Sequence, residues 1–389
     1  MFVLPSISFA LIGIFLFLSG KWSIYGIPPM GSLFEDLQSL TATVSCSEGS
    51  SLGDLNSPTC DPFGRPFNYP TVWVKIFSFF HLTFNHTHLI GYVFTFLIFC
   101  VLLFWGWYAK LNKNRITDVL VFTLFSISAP VYLLVERGNI DTIILSGLTI
   151  ISILLMKKRY RIAGIFIAIL SGLKIYPLGA FLLILESKIL LRKMAPSVIL
   201  AGIFLFSILG ELKMIRDRTP FNKNYSFGIG VLPQYLSDLL NLSLTRNSAI
   251  AVGVIFLCIM ITFLFLSAHK YSFLQLQVDK FWNTFANEES AKDIFVLFAG
   301  IYIFSYTLGT NYDYRLVILL PLVASIIRTR ATLTSSRVLI WSITSAVFLS
   351  FSLGKLSIIS DVVFELLTII LTFALLKRLQ QNRIGKLNS

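Results

Sequence analysis

Residues 86–108, HTHLIGYVFTFLIFCVLLFWGWY, run 23 positions without an Asp, Glu, Lys or Arg. A membrane-spanning helix needs about 20 mainly apolar residues, and its backbone polar groups must pair inside the segment because no water reaches them. This stretch meets both demands. Similar runs lie near 2–20, 119–135, 142–156, 162–173, 177–191, 195–210, 248–268, 293–309, 315–327, 338–353 and 362–376. The reading is therefore an all-α polytopic membrane protein of about 12 transmembrane helices, a single integral-membrane unit over 1–389. Several middle runs are too short for a full crossing. They are expected to be short helices, or helices that break within space lined by protein. Residues 1–20 have no Lys or Arg and a run longer than a signal-peptide core, so they are expected to remain as the first helix.

Composition agrees. Hydrophobic residues make up 56% of the chain and charged residues 13%, about half the roughly 25% of soluble domains. Mean hydropathy is +0.79. A soluble enzyme, a disordered tail and a disulfide mini-scaffold are excluded on these figures. The formal charge of +13 would suggest nucleic acid in a soluble chain. Here it reads as charge sorting across a bilayer, with no nucleic-acid partner. The short stretches 109–118, 157–161, 186–194, 269–292, 328–337 and 377–389 hold 20 of the 32 Lys and Arg residues. The positive-inside rule then places them and both termini in the cytosol. The stretches 21–85, 136–141, 174–177, 211–247 and 309–315 face outward. Two amphipathic stretches, 71–85 (Trp73, Phe77, Phe80, Phe84) and 270–285 (Leu274, Val278, Phe281, Phe285), read as interfacial helices or as helices packed on the bundle.

Cys46 and Cys60 share the first outer loop and are expected to be bridged, whereas Cys100 and Cys258 lie in apolar runs. His81, His86 and His88 cluster at a helix entrance without zinc-type spacing, and no metal is expected. Asn85, Asn224 and Asn241 begin outward Asn-x-Ser/Thr triplets, a pattern common by chance.

Ionisable residues beside membrane segments are costly and are functional candidates by default. Four clusters fall on the outer side. Glu136-Arg137-Gly138-Asn139-Ile140-Asp141 joins two apolar runs, and Lys174-Ile175-Tyr176-Pro177 interrupts a third. Gly309-Thr310-Asn311-Tyr312-Asp313-Tyr314-Arg315 joins two more, and the first loop carries Glu35, Asp36, Asp54, Asp61 and then Arg65-Pro66-Phe67-Asn68-Tyr69-Pro70. The plainer readings are turns with local ion pairs, a lysine snorkelling to the interface and solvated acids. Together the clusters supply carboxylates, fixed cations, amides and aromatic rings next to lipid. That chemistry suits a polar head on a lipid tail, with Arg137, Lys174 and Arg315 able to bind phosphate oxygens. Tyr69, Tyr176 and Tyr312 could line a sugar, and one carboxylate could be a general base.

At these residues the chain resembles glycosyltransferase family 87 of the GT-C superfamily. Glu136-Arg137-Gly-Asn139-Ile-Asp141 and Lys174-Ile-Tyr-Pro177 look like its core signature. Asn311-Tyr-Asp313-Tyr-Arg315-Leu316 and Cys60-Asp61-Pro-Phe-Gly-Arg65-Pro-Phe-Asn68-Tyr69-Pro70 resemble further blocks of its bacterial members, and the likeness spans roughly 25–325. The resemblance implies an inverting, polyprenyl-phosphate-sugar-dependent glycosyltransferase working at the outer face of the cell membrane. It needs no cofactor, and its partners are the lipid-linked donor, a glycolipid or glycan acceptor and membrane lipid. A first-loop carboxylate takes the acceptor proton. Asp36-Leu37 matches that motif best, although it lies sixteen residues past Gly20, and Asp61 is the runner-up. The donor phosphate is expected at Arg137, Lys174 and Arg315. Sugar or acceptor is expected at Asn68, Tyr69, Glu136, Asn139, Asp141, Tyr176, Asn311, Tyr312 and Asp313. A transporter or flippase of lipid-linked or small polar substrates is the competing reading, and a polymerase or ligase acting on lipid-linked glycans a third.

Overall fold

A computed structural model describes residues 1–27, 32–49, 60–112, 114–219, 226–309, 311–329, 334–350 and 357–387. Asp54, Asn224 and Thr310, and the side chain of Leu274, lie outside the described set. The described residues form an all-α chain: α1 (Leu4–Ser19), α2 (Glu35–Gly49), α3 (Thr71–Phe79), α4 (Thr87–Tyr108), α5 (Ile116–Ser126), α6 (Ala129–Arg137), α7 (Asp141–Met156) and α8 (Tyr160–Leu173). There follow α9 (Lys188–Arg218), α10 (Val231–Leu239), α11 (Arg246–Lys270), α12 (Ser272–Asn283), α13 (Glu289–Thr307), α14 (Leu319–Arg328), α15 (Thr334–Leu349) and α16 (Ser357–Leu387). Two 3-10 segments, Tyr176–Glu186 and Asp313–Ile318, precede α9 and α14. Among the described residues one strand pair forms, β1 (Ser226–Phe227) antiparallel to β2 (Asn311–Tyr312), with Ser226 opposite Tyr312.

Five stretches are long and apolar enough to cross a membrane: Phe84–Tyr108, Ile116–Arg137, Ile189–Arg218, Arg246–Ala268 and Ile358–Asn382. Leu4–Ser19, Asp141–Met156, Tyr160–Leu173, Tyr176–Glu186 and Ser336–Leu349 are apolar helices of 10–17 residues. The chain is thus helical and membrane-spanning by length and composition. The short middle runs have local causes. The run 119–135 breaks at Ser128 because Pro130 sits in the first turn of α6. Lys174 leaves the helical region (φ −150°, ψ 140°) and ends α8, so the next apolar run starts afresh as a 3-10 segment.

The centre of the bundle is α13, in which every residue from Asp293 to Tyr302 is buried. It lies against the 3-10 segment at a glycine pair. A Cβ on Gly300 would stand 2.3 Å from the Gly179 carbonyl oxygen, and one on Gly179 would stand 2.3 Å from that of Gly300. Backbone on both sides leaves nothing flexible to yield. Gly300→Ala is therefore expected to cost about 1–3 kcal/mol. Gly202→Ala, on α9 with nothing within 4 Å, should cost nothing. Thermal unfolding in detergent compares the two.

The opposite extreme is α9 and α11, whose apolar windows are 11% and 17% buried against 72% for Ile116–Arg137. Ile199, Ile203 and Phe206 of α9 and Ile255, Ile259 and Phe263 of α11 are exposed. In a membrane protein these are faces for lipid.

Polar groups collect at the two ends of α4. At its start, the Thr87 hydroxyl shares a 2.6 Å hydrogen bond with Thr41 of α2. At its end, Arg328 donates to the Tyr108 carbonyl at 3.0 Å and pairs with Glu288, which Lys110 also holds. A helix of that length separates these ends by about 33 Å. The first-loop cluster opens α2 beside the first end, with Phe34 against Gly91, and several basic stretches meet at the second.

One element differs from the amphipathic reading of 71–85. The helix stops at Phe79, and His81 turns the chain at φ +52°. Trp73 and Phe77 are buried against the bundle, whereas Phe80 and Phe84 are exposed, so the four do not form one stripe.

Candidate active site

The site begins where α2 begins. The Phe34 N–H donates to the Glu136 carbonyl at 2.7 Å, which ties the N-terminus of α2 to the C-terminus of α6. Gly138 makes this close approach workable: it caps α6 at φ +59°, and a Cβ there would lie 3.1 Å from that of Phe34. Two acids occupy the first turn of α2, where the helix dipole favours negative charge. Consecutive helical residues point about 100° apart, so Glu35 and Asp36 go to different places. Glu35 is buried and pairs with Arg65 (2.8 Å) and Arg137 (3.0 Å). Burial pushes its carboxyl up, while the two guanidinium groups pull it down. Asp36 faces a cavity of about 560 Å³. Its Oδ2 accepts from Asn139 Nδ2 at 2.6 Å, and its Oδ1 lies 3.7 Å from Arg65, beyond hydrogen-bond reach.

Asp61 is differently placed. Its carboxylate accepts from the Ser39 hydroxyl (2.6 Å), the Phe63 N–H (2.9 Å) and Arg65 Nε (3.1 Å). It fastens the loop to α2 and does not line the cavity. Next to it, a disulfide joins Cys46 to Cys60 with 5.8 Å between Cα atoms. Opening that link by Cys46→Ser with Cys60→Ser is expected to cost about 3 kcal/mol. The measurement is the unfolding midpoint with and without reductant, which should shift in the wild type and stay fixed in the double variant.

A second knot lies across the cavity from α2. Asp141, buried at the start of α7, accepts from Lys174 Nζ (2.9 Å) and the Tyr176 hydroxyl (2.9 Å) on Oδ1, and pairs with Arg315 Nε (3.3 Å) on Oδ2. Arg315 also bonds the Asn311 side-chain oxygen, and Asn311 Nδ2 donates to the Ser305 carbonyl at 2.6 Å. The Lys174 ammonium stands over the Tyr69 ring at 5.7 Å and Arg315 over the Tyr176 ring at 5.4 Å. Burial pushes the Lys174 ammonium down to about 8, against the pull of Asp141. Glu136 is buried beside Arg137 Nε at 3.1 Å.

The structure thus gathers residues from 36 to 315 around one cavity. Asp36, Asn68, Tyr69, Arg137, Lys174, Tyr176, Asn311, Tyr312 and Arg315 line it. Glu136, Asn139 and Asp141 stand behind that wall and hold its members. Asp313 does not line it. It is buried on the far side of its turn, within electrostatic reach of Asp361 on α16. His86 hydrogen-bonds through Nδ1 to the Thr83 hydroxyl at 3.1 Å, and no group of His, Cys, Asp and Glu able to hold a metal occurs among the described residues.

Sequence reasoning missed three lining arginines, Arg216, Arg218 and Arg246, and an apolar wall of Ile208, Leu212 and Ile215. A signal was present. The outward stretch 211–247 carries five basic residues, against the positive-inside rule. No family model, curated protein or solved structure matches the chain.

Proposed function

We propose that this chain is a GT-C-type membrane glycosyltransferase that moves a sugar from a polyprenyl-phosphate donor to an acceptor hydroxyl at the outer face of the membrane. One observation carries the reading. Among the described residues the cavity is lined by a single carboxylate, Asp36, and by seven cationic side chains, next to an apolar wall. That is the chemistry of one base facing an anionic, lipid-linked substrate. In this reading Asp36 Oδ1 takes the acceptor proton, with Oδ2 oriented by Asn139. The acceptor oxygen attacks the anomeric carbon from one side, and the lipid phosphate leaves from the other with inversion. Fixed cations stabilise the growing charge on the leaving phosphate, a preorganised electrostatic effect of the kind that often dominates catalysis. The acceptor is a glycolipid or glycan, and no metal or cofactor takes part. The topology that goes with this has about twelve helices, both termini in the cytosol and the cavity outside.

The test is purified protein in lipid with a panel of polyprenyl-phosphate hexoses and lipid acceptors, followed by mass spectrometry. Release of free polyprenyl phosphate together with a new glycan supports the proposal, and donor consumption no faster than in empty vesicles overturns it. A transporter remains the second reading because Asp361 and Glu365 are buried on α16, and acids inside spans are typical of coupled transport. Uptake of labelled substrate by the same vesicles, without product, would favour it.

A further inference from the structure

Building on the glycosyltransferase reading, we infer that the donor's lipid phosphate is held at the junction of α9 and α11 by Arg216 and Arg246, with its prenyl chain along α9. Of the five other lining cations, Arg218 donates to the Phe67 carbonyl at 3.4 Å and four are committed to internal carboxylates. Arg65 and Arg137 lie 2.8 and 3.0 Å from Glu35, and Lys174 and Arg315 lie 2.9 and 3.3 Å from Asp141. Recruiting them to a phosphate would strip buried acids of their partners, which is costly. Arg216 is exposed to the cavity and bonds the Asn247 amide oxygen, with no described carboxylate in ion-pair distance. Arg246 donates to the carbonyls of Arg216 (3.4 Å) and Thr219 (3.3 Å), which draws the two helix ends together at the cavity wall that both arginines line. Two acids lie near this end of α9: Glu211 is taken up by the Thr71 N–H (2.8 Å) and hydroxyl (2.6 Å), and Asp217 is exposed and does not line the cavity.

Below this crown, Ile208, Leu212 and Ile215 follow i, i+4, i+7 spacing and line the cavity. A cationic head above an apolar stripe, on a helix otherwise open to lipid, fits a phosphate carrying a long hydrocarbon chain and not a free anion. The position also suits the reaction. Asp36, Tyr312, Arg216 and Arg246 all line the same cavity, so base and phosphate site face one substrate. An inverting displacement needs base and leaving group on opposite sides of the sugar. The acceptor proton goes to Asp36, the new C–O bond forms, and the electron pair of the broken bond stays on the phosphate oxygen facing Arg216 and Arg246. Lys174 and Arg315 are then positioning residues for Asp141 and Tyr176.

The experiment uses the full chain in nanodiscs, with farnesyl phosphate and inorganic phosphate as probes in equilibrium titrations. Wild type should bind farnesyl phosphate at least tenfold tighter than inorganic phosphate. Arg216→Gln should weaken farnesyl phosphate at least tenfold. Lys213→Gln, which removes the same charge from an exposed position of the same helix outside the cavity, should stay within twofold. Leu212→Ser should weaken farnesyl phosphate and spare inorganic phosphate. Unchanged binding in Arg216→Gln overturns the subsite, as does equal affinity of wild type for both probes. Transfer by Arg216→Gln with wild-type KM overturns the subsite and leaves the glycosyltransferase standing. Wild type that neither binds farnesyl phosphate nor transfers sugar overturns both.

Discussion

Asp36→Asn is expected to lower sugar transfer by roughly 10²–10⁴-fold, the usual contribution of a positioned general base. The substitution keeps the shape of the side chain and removes its ability to take a proton. Asp36 makes one strong hydrogen bond, to Asn139 at 2.6 Å, so the fold should tolerate the change. Donor KM should move little, because the lost interaction belongs to the transition state. Asp61→Asn should behave in the opposite way. Its carboxylate holds the Ser39 hydroxyl, the Phe63 N–H and the Arg65 guanidinium. Its loss should lower the unfolding midpoint, with kcat per folded molecule near wild type. Steady-state release of polyprenyl phosphate, normalised to folded protein, reads both. Full activity in Asp36→Asn would remove the assigned base.

The largest effect on stability is expected from Asp141→Asn. Lys174 and Arg315 both pair with this one buried carboxylate, and Tyr176 donates to it. Removing the anion leaves two cations facing each other in a poorly solvated site. Breaking a buried ion pair from one side costs about 3–5 kcal/mol. Lys174→Met alone should cost less, since Arg315 stays to pair with Asp141. The double variant should be more stable than Asp141→Asn alone, because the added substitution removes one of the uncompensated charges. Urea unfolding of the four proteins in micelles gives the coupling directly. Additive losses would mean that the three groups do not act as a unit.

Much of this arrangement can be read from residue order alone. Long apolar runs such as 86–108 become helix because no other structure satisfies a backbone in hydrocarbon. The clusters at Glu136–Asp141, Lys174–Pro177 and Asn311–Arg315 stand out because charge is rare in the apolar runs on either side of them. What the order of residues does not carry is direction. Glu35 and Asp36 are adjacent, yet one is consumed by two arginines and the other faces the cavity, and only the rotation of α2 decides which. Asp313 and Arg315 share a turn, but its 3-10 geometry sends the acid toward α16 and the base toward Asp141. Arg216 and Arg246 are thirty residues apart and look like ordinary juxtamembrane charges until α9 and α11 bring their ends together.

The two-residue ladder between β1 and β2 has a consequence for how this chain can change in length. It pins Tyr312 opposite Ser226 and Asn311 opposite Phe227, and successive strand residues face opposite ways. Asn311 and Tyr312 both line the cavity, and one residue inserted between Gly309 and Asn311 and absorbed as a register slip would reverse the direction of each. Insertion should therefore be sharply penalised at the approach to β2, where a single added residue would turn Tyr312 away and carry Arg315 off Asp141.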